Sequence, residues 1–103
     1  MKMENLNPVH PGIVLLEKYL TPLNLSIKRF ANETFIPLTR IYEIIRGRRR
    51  ITADVALKFS RYFGNSAKFW LGLQDDYDLA LEIARDNQEL NQIESINQLL
   101  KAS

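Results

Sequence analysis

Residues 26–50 read SIKRFANETFIPLTRIYEIIRGRRR, and three consecutive arginines close the stretch. Ser26 suits a helix N-cap, because its hydroxyl can accept from a free N–H of the first turn. Behind it Ile27, Phe30, Ala31 and Thr34 fall on one side of a helix of about two turns. Phe35 and Ile36 form a turn. Pro37, with a fixed φ and no N–H to satisfy, opens a second short helix. In that helix Leu38, Ile41, Ile44 and Ile45 occupy an arc of ~120°. Thr39, Tyr42, Glu43 and Arg46 gather opposite, with Arg40 at the margin. Gly47 suits the position just past a helix end.

Two short helices joined by a tight turn, the second with a polar outer face, describe a helix-turn-helix. Such a second helix enters a DNA major groove with its N-terminal residues toward the base edges. Arg40 is the candidate for guanine, whose O6 and N7 match a guanidinium in two parallel bonds. Thr39 can meet a base or a phosphate. Glu43 can accept from cytosine, or orient Arg40 or Arg46 by i, i+3 pairing. Leu38 meets a thymine methyl or belongs to the core. Arg46, Arg48, Arg49 and Arg50 lie at or beyond the helix end, where phosphate is the expected target. Ser26 and Lys28 can offer phosphate a backbone amide and a charge. The plainer alternatives are that the arginines are merely solvated, that Arg50 pairs with Asp54, and that Glu43 is a solubilising charge.

Outward from this stretch the apolar spacing stays helical. Pro11 and Gly12 open a first helix whose inward face reads Ile13, Leu16, Leu20 and Leu23, with Pro22 ending or bending it. Thr52 is a plausible cap for a helix bearing Val55, Ala56, Phe59, Tyr62 and Phe63 on one stripe, closed by Gly64. Asn65 or Ser66 caps the next, which turns Phe69, Trp70, Leu73, Tyr77, Leu81 and Ala84 inward and breaks at Asp86-Asn87. A last amphipathic stretch aligns Leu90, Ile93, Ile96 and Leu100. Its apolar side needs the body, a second copy or another protein to cover it. The expectation is an all-α protein: a five-helix DNA-binding domain over residues 1–87, then a helical tail over 88–103.

Composition limits the alternatives. At 103 residues the chain fits one modest core. It has no cysteine and one histidine, which excludes disulfides, thiolate ligands and multi-histidine metal sites. His10 has no nucleophile to serve, so it is read as ordering the N-terminal turn. Asp75, Asp76 and Asp78 lack the glycine and spaced glutamate of a calcium loop. No catalytic site, cofactor or metal is expected. No apolar run reaches membrane-spanning length and no signal-peptide core is visible, which points to the cytoplasm. The charge is asymmetric. Residues 1–64 carry 11 Lys/Arg against 5 Asp/Glu, and residues 65–103 carry 3 against 7, so a polyanion partner suits the first part alone.

HPGIVLLEKYLTPLNLS (10–26) and the run from Phe30 to Leu79, above all IRGRRRITADVAL (45–57) and FWLGLQDDYDL (69–79), resemble the HigA-type, VapI-like antitoxins of the XRE, or lambda-repressor-like, helix-turn-helix family. The resemblance implies a homodimer on a palindromic operator of double-stranded DNA, autorepression, and a HigB-like mRNA interferase as partner toxin. It places base contacts at Leu38, Thr39, Arg40 and Glu43, and phosphate contacts at Ser26, Lys28 and the Arg46–Arg50 segment. Rival readings are a stand-alone phage- or host-type repressor and an interaction module without DNA binding. The family pattern has glycine in the turn where this chain has Phe35. The turn is therefore built differently, or Phe35 is strained and held by packing, or its ring is core.

Overall fold

The computed structural model describes residues 8–85 and 87–102, and these are helical. Helix α1 starts at Pro11–Val14 and continues as a π-helical turn, Leu15–Leu20. It is followed by α2 (Ile27–Thr34), α3 (Leu38–Ile45), α4 (Ala53–Phe63), α5 (Ala67–Ala84), α6 (Gln88–Gln92) and α7 (Ile96–Ala102). Helices α1 to α5 surround a core in which Leu15, Phe30, Ile41, Ile44, Ala56, Phe59 and Trp70 are wholly buried. Each such aliphatic or aromatic side chain contributes about 1.5–3 kcal/mol by leaving water.

The helix ends follow local chemistry. Ser26 Oγ accepts from Arg29 N at 3.0 Å, and Ser66 Oγ accepts from Phe69 N at 3.0 Å. At the end of α3 the Arg48 N–H reaches the Glu43 carbonyl at 2.8 Å, and the Gly47 N–H reaches that of Ile44 at 3.0 Å. This 6→1, 5→2 pair is a Schellman motif, with Gly47 at φ 75° supplying the left-handed residue. Helix α2 ends the same way: Ile36 N bonds the Ala31 carbonyl at 3.1 Å and Phe35 N that of Asn32 at 3.3 Å. Here the left-handed residue is Phe35, at φ 58° and ψ 35°. Phe35 is in the left-handed conformation, as the strained expectation has it, but its ring is 85% exposed, so it is neither core nor held by packing.

Two apolar faces and one helix cap differ from expectation. In α1 the inward residues are Leu15 and Leu20, while Ile13 and Leu23 are 41% and 61% exposed. The cause is the π turn, where Thr21 N bonds Leu16 O and Leu25 N bonds Leu20 O. An i→i+5 ladder aligns positions five apart rather than three or four. In α5 the buried residues are Trp70 and Gln74, whereas Leu81 and Ala84 are exposed. The distal half of this 18-residue helix runs beyond the body. The dimensions of 61 × 23 × 23 Å reflect that extension. Thr52 precedes α4 but does not cap it through its side chain; its hydroxyl donates to Asp54 Oδ1 instead. Helix α5 stops at Ala84, Asn87 Oδ1 caps α6 by accepting from Leu90 N, and Asp86 lies outside the described residues. Leu90, Ile93, Ile96 and Leu100 in the tail are each 48–73% exposed.

Candidate nucleic-acid interface

Helix α3 is held from behind. Ile41 and Ile44 anchor it in the core, and α1 crosses its C-terminal turn at very short range. A Cβ placed on Gly12 would lie 1.9 Å from the Ile44 carbonyl oxygen and 2.8 Å from the Ile45 Cα. Gly12 is therefore required by backbone approach rather than by its dihedral angles. Pinned in this way, α3 turns Thr39, Tyr42 and Arg46 to solvent, while Arg40 and Glu43 are half-buried at its margins. Leu38 is 36% exposed at the first turn, so it is open to a partner rather than core.

The charged side chains are paired in ways that sequence spacing does not give. Arg40 sits 3.6 Å from Asp54 across the start of α4. Asp54 is held below the usual carboxylate range, first by the Thr52 hydroxyl and then by lesser contributions that include Arg40. Glu43 bonds Arg49 at 2.8 Å, not Arg40 or Arg46. Arg46 lies over the Tyr42 ring, 5.4 Å from its centroid. Arg50 pairs with Asp78 of α5 at 3.0 Å, and not with Asp54. Exposed pairs of this kind contribute about 0–1 kcal/mol each, so they set where side chains point more than how stable the fold is. Arg40, Arg49 and Arg50 meet Thr52 and Asp54 around a groove of about 250 Å³. Arg48 is exposed, with no ion pair among the described residues. Ser26 and Lys28, both exposed, stand at the first turn of α2, a separate element from the arginine loop.

His10 orders the N-terminal turn, and it does more. Its Nδ1 accepts from Gly12 N at 2.9 Å, capping α1. The ring stands edge-on to Tyr77 at 4.9 Å and faces the Arg49 backbone. With Nδ1 accepting, the ring is neutral and carries its proton on Nε2. Burial lowers its pKa below the ordinary histidine value, against the opposing pull of Asp78. The single histidine thus ties the start of α1 to the arginine loop. The sequence signal for that role was the HPG triplet alone.

The family model described as helix-turn-helix matches residues 16–70. The chain belongs to the XRE-type helix-turn-helix family. It is 45% identical over 83 residues to Virulence-associated protein I of Dichelobacter nodosus, covering 81% of this chain and 76% of that one. Among solved structures it is similar to Pseudomonas aeruginosa PA4674 in complex with its operator DNA, with a TM-score of 0.82 at 33% identity over 88% of this chain and 97% of that chain. It is likewise similar to the Pseudomonas aeruginosa antitoxin HigA with the higBA promoter, with a TM-score of 0.79 at 34% identity over 85% and 97%. The fold is that of a DNA-binding antitoxin, in a family of DNA-binding regulators rather than of enzymes. No helix among the described residues is long and apolar enough to cross a membrane.

Proposed function

We propose that the protein is a sequence-specific DNA-binding antitoxin. In this reading it autorepresses its own operon and neutralises a HigB-like mRNA interferase, acting in the cytoplasm and without catalysis. The observation that carries the reading is the outer face of α3. That face presents Thr39, Arg40 and Glu43 beside an arginine loop, on a fold shared with proteins solved on operator DNA. Leu38, Thr39, Arg40 and Glu43 read base edges. Ser26, Lys28, Arg46, Arg48 and Arg49 hold phosphates, and Arg50 stands closest to a structural role because Asp78 already holds it. A homodimer sets two α3 helices about one DNA turn apart, roughly 34 Å, over a palindromic site.

The test is a footprint on the DNA upstream of the protein's own gene, with a salt titration. A dimer making roughly six to eight phosphate contacts gives log K against log[salt] a slope near −6. Replacing Arg40, Arg48 and Arg49 together by alanine abolishes the footprint at physiological salt. A nearly flat salt response, or a footprint surviving the triple change, refutes the DNA surface. Co-expression with a small toxin gene found beside this one tests the antitoxin role: a stable complex and rescued growth support it. Rescue failing while the footprint holds leaves a stand-alone repressor.

A further inference from the structure

We infer that Gln74 and Asp78 of α5 are positioning residues for DNA binding: they fix the arginine loop in its bound shape and withhold Arg50 from the phosphates. This rests on the DNA-binding reading above and adds to it a helix that no base or phosphate touches. Both residues lie beyond residue 70, where the helix-turn-helix match ends.

The loop leaves α3 through the Schellman bonds of Gly47 and Arg48 and ends at Ile51, which is buried. The buried Ile51 N–H donates to Gln74 Oε1 at 2.7 Å. A backbone N–H can only donate, so it fixes which end of the Gln74 amide faces it. Nε2 is then turned to Asp78, whose Oδ1 accepts at 3.0 Å. Oδ2 of the same carboxylate accepts from Arg50 at 3.0 Å. One directional chain therefore runs from the loop backbone through a side chain that is 2% exposed to the third arginine. Glutamate at 74 would set two carboxylates against each other. An apolar residue would leave the Ile51 N–H without its acceptor. His10 also faces the Arg49 backbone, in the middle of the loop. With its backbone pinned, the loop offers Arg48 and Arg49 already placed, and DNA does not have to order it on binding.

The experiment measures fluorescence anisotropy on a labelled duplex carrying the footprinted sequence, titrated with salt at a temperature where every variant is folded by circular dichroism. Gln74→Met keeps length and volume and removes both hydrogen bonds. Its expected result is binding about tenfold weaker, with a salt slope shallower by about one contact per protomer, or about two for the dimer. Leu20→Ala, a core change at the far end of α1, serves as the stability control and keeps the wild-type slope. Asp78→Asn still accepts from Gln74 and releases Arg50, so its slope steepens by about one contact per protomer, or about two for the dimer. The inference is overturned if Gln74→Met follows the wild-type line in both affinity and slope, or if Leu20→Ala loses slope to the same extent. An unchanged slope in Asp78→Asn overturns the part concerning Arg50. Wild-type protein failing to bind any such duplex removes the DNA reading itself, and that result is distinct from a wild type that binds while Gln74→Met is unaffected.

Discussion

Gly12→Ala forces α1 and α3 apart at the point where they are closest. The added methyl would stand 1.9 Å from the Ile44 oxygen, 2.6 Å from its carbonyl carbon and 2.8 Å from the Ile45 Cα. All three are backbone atoms of α3, so no rotamer change relieves the clash. To restore ordinary contact the helices must separate by about 1.5 Å, and close-packed interiors do not absorb that without leaving voids elsewhere. Overpacking costs typically about 1–3 kcal/mol, and a backbone collision belongs at the top of that range. For a domain of this size about 3 kcal/mol lowers Tm by roughly 12–24 °C. Thermal unfolding followed at 222 nm measures it, with operator affinity measured on the fraction that stays folded. A Tm within roughly 4 °C of wild type, about the shift from 1 kcal/mol, would refute the close-approach account of Gly12.

Three further outcomes are expected. His10 is buried neutral with its pKa lowered, and Asp78, Arg50, Tyr77 and the Gly12 and Arg49 backbone all face it. The unfolded chain therefore takes up its proton first as pH falls. Stability is complete above the unfolded value near 6.5 and declines as pH drops from there toward the lowered folded value. Chemical denaturation from pH 7.5 to 5 reads this, and His10→Asn, which keeps a capping acceptor, should remove that part of the pH dependence. Phe35→Gly relieves a left-handed residue that costs about 1–2 kcal/mol, so Tm should rise by roughly 4–16 °C; a fall would mean that the exposed ring is held by contacts worth more than the strain. Ending the chain after Asn87 should leave the Tm of the body within about 2 °C of the full chain, because among the described residues none of α6 or α7 belongs to the core. A larger loss would show that residues 88–103 are part of the domain rather than a tail.

What could be read from the sequence was what short-range chemistry fixes. Ser26 and Ser66 announce helix starts, Gly47 and Gly64 announce ends, and the stripe from Val55 to Phe59 declares its buried side. The face of α1 was misread because a π turn changes the spacing that counts as one side, and nothing in LLEKYL signals it. Leu81 and Ala84 follow the helical period of Trp70 faithfully, but period does not tell where a helix outruns its neighbours. Gln74 was invisible for the opposite reason: a polar residue is ordinarily taken as wet, and its partners are a backbone N–H 23 positions away and an aspartate. The pairings of Arg40, Arg49 and Arg50 were likewise out of reach, since each depends on how two helices or a loop and a helix are placed. The candidate base and phosphate residues themselves needed only the two short helices and the arginines after them.

The chain's single tryptophan lies at the centre of its aromatic cluster. Trp70 is fully buried, with Tyr19, Phe59 and Phe69 rings 5.0–5.2 Å away, and its Nε1–H donates to Asn65 Oδ1 at 3.0 Å. The protein therefore carries a built-in fluorophore in dry surroundings. Its emission lies to the blue when the core is intact and moves to the red when water enters. The indole stands on α5, away from the residues proposed to contact DNA, so on that proposal added DNA leaves the signal in place. Folding and nucleic-acid binding can thus be followed in one cuvette, the first by intrinsic emission and the second by a dye on the DNA.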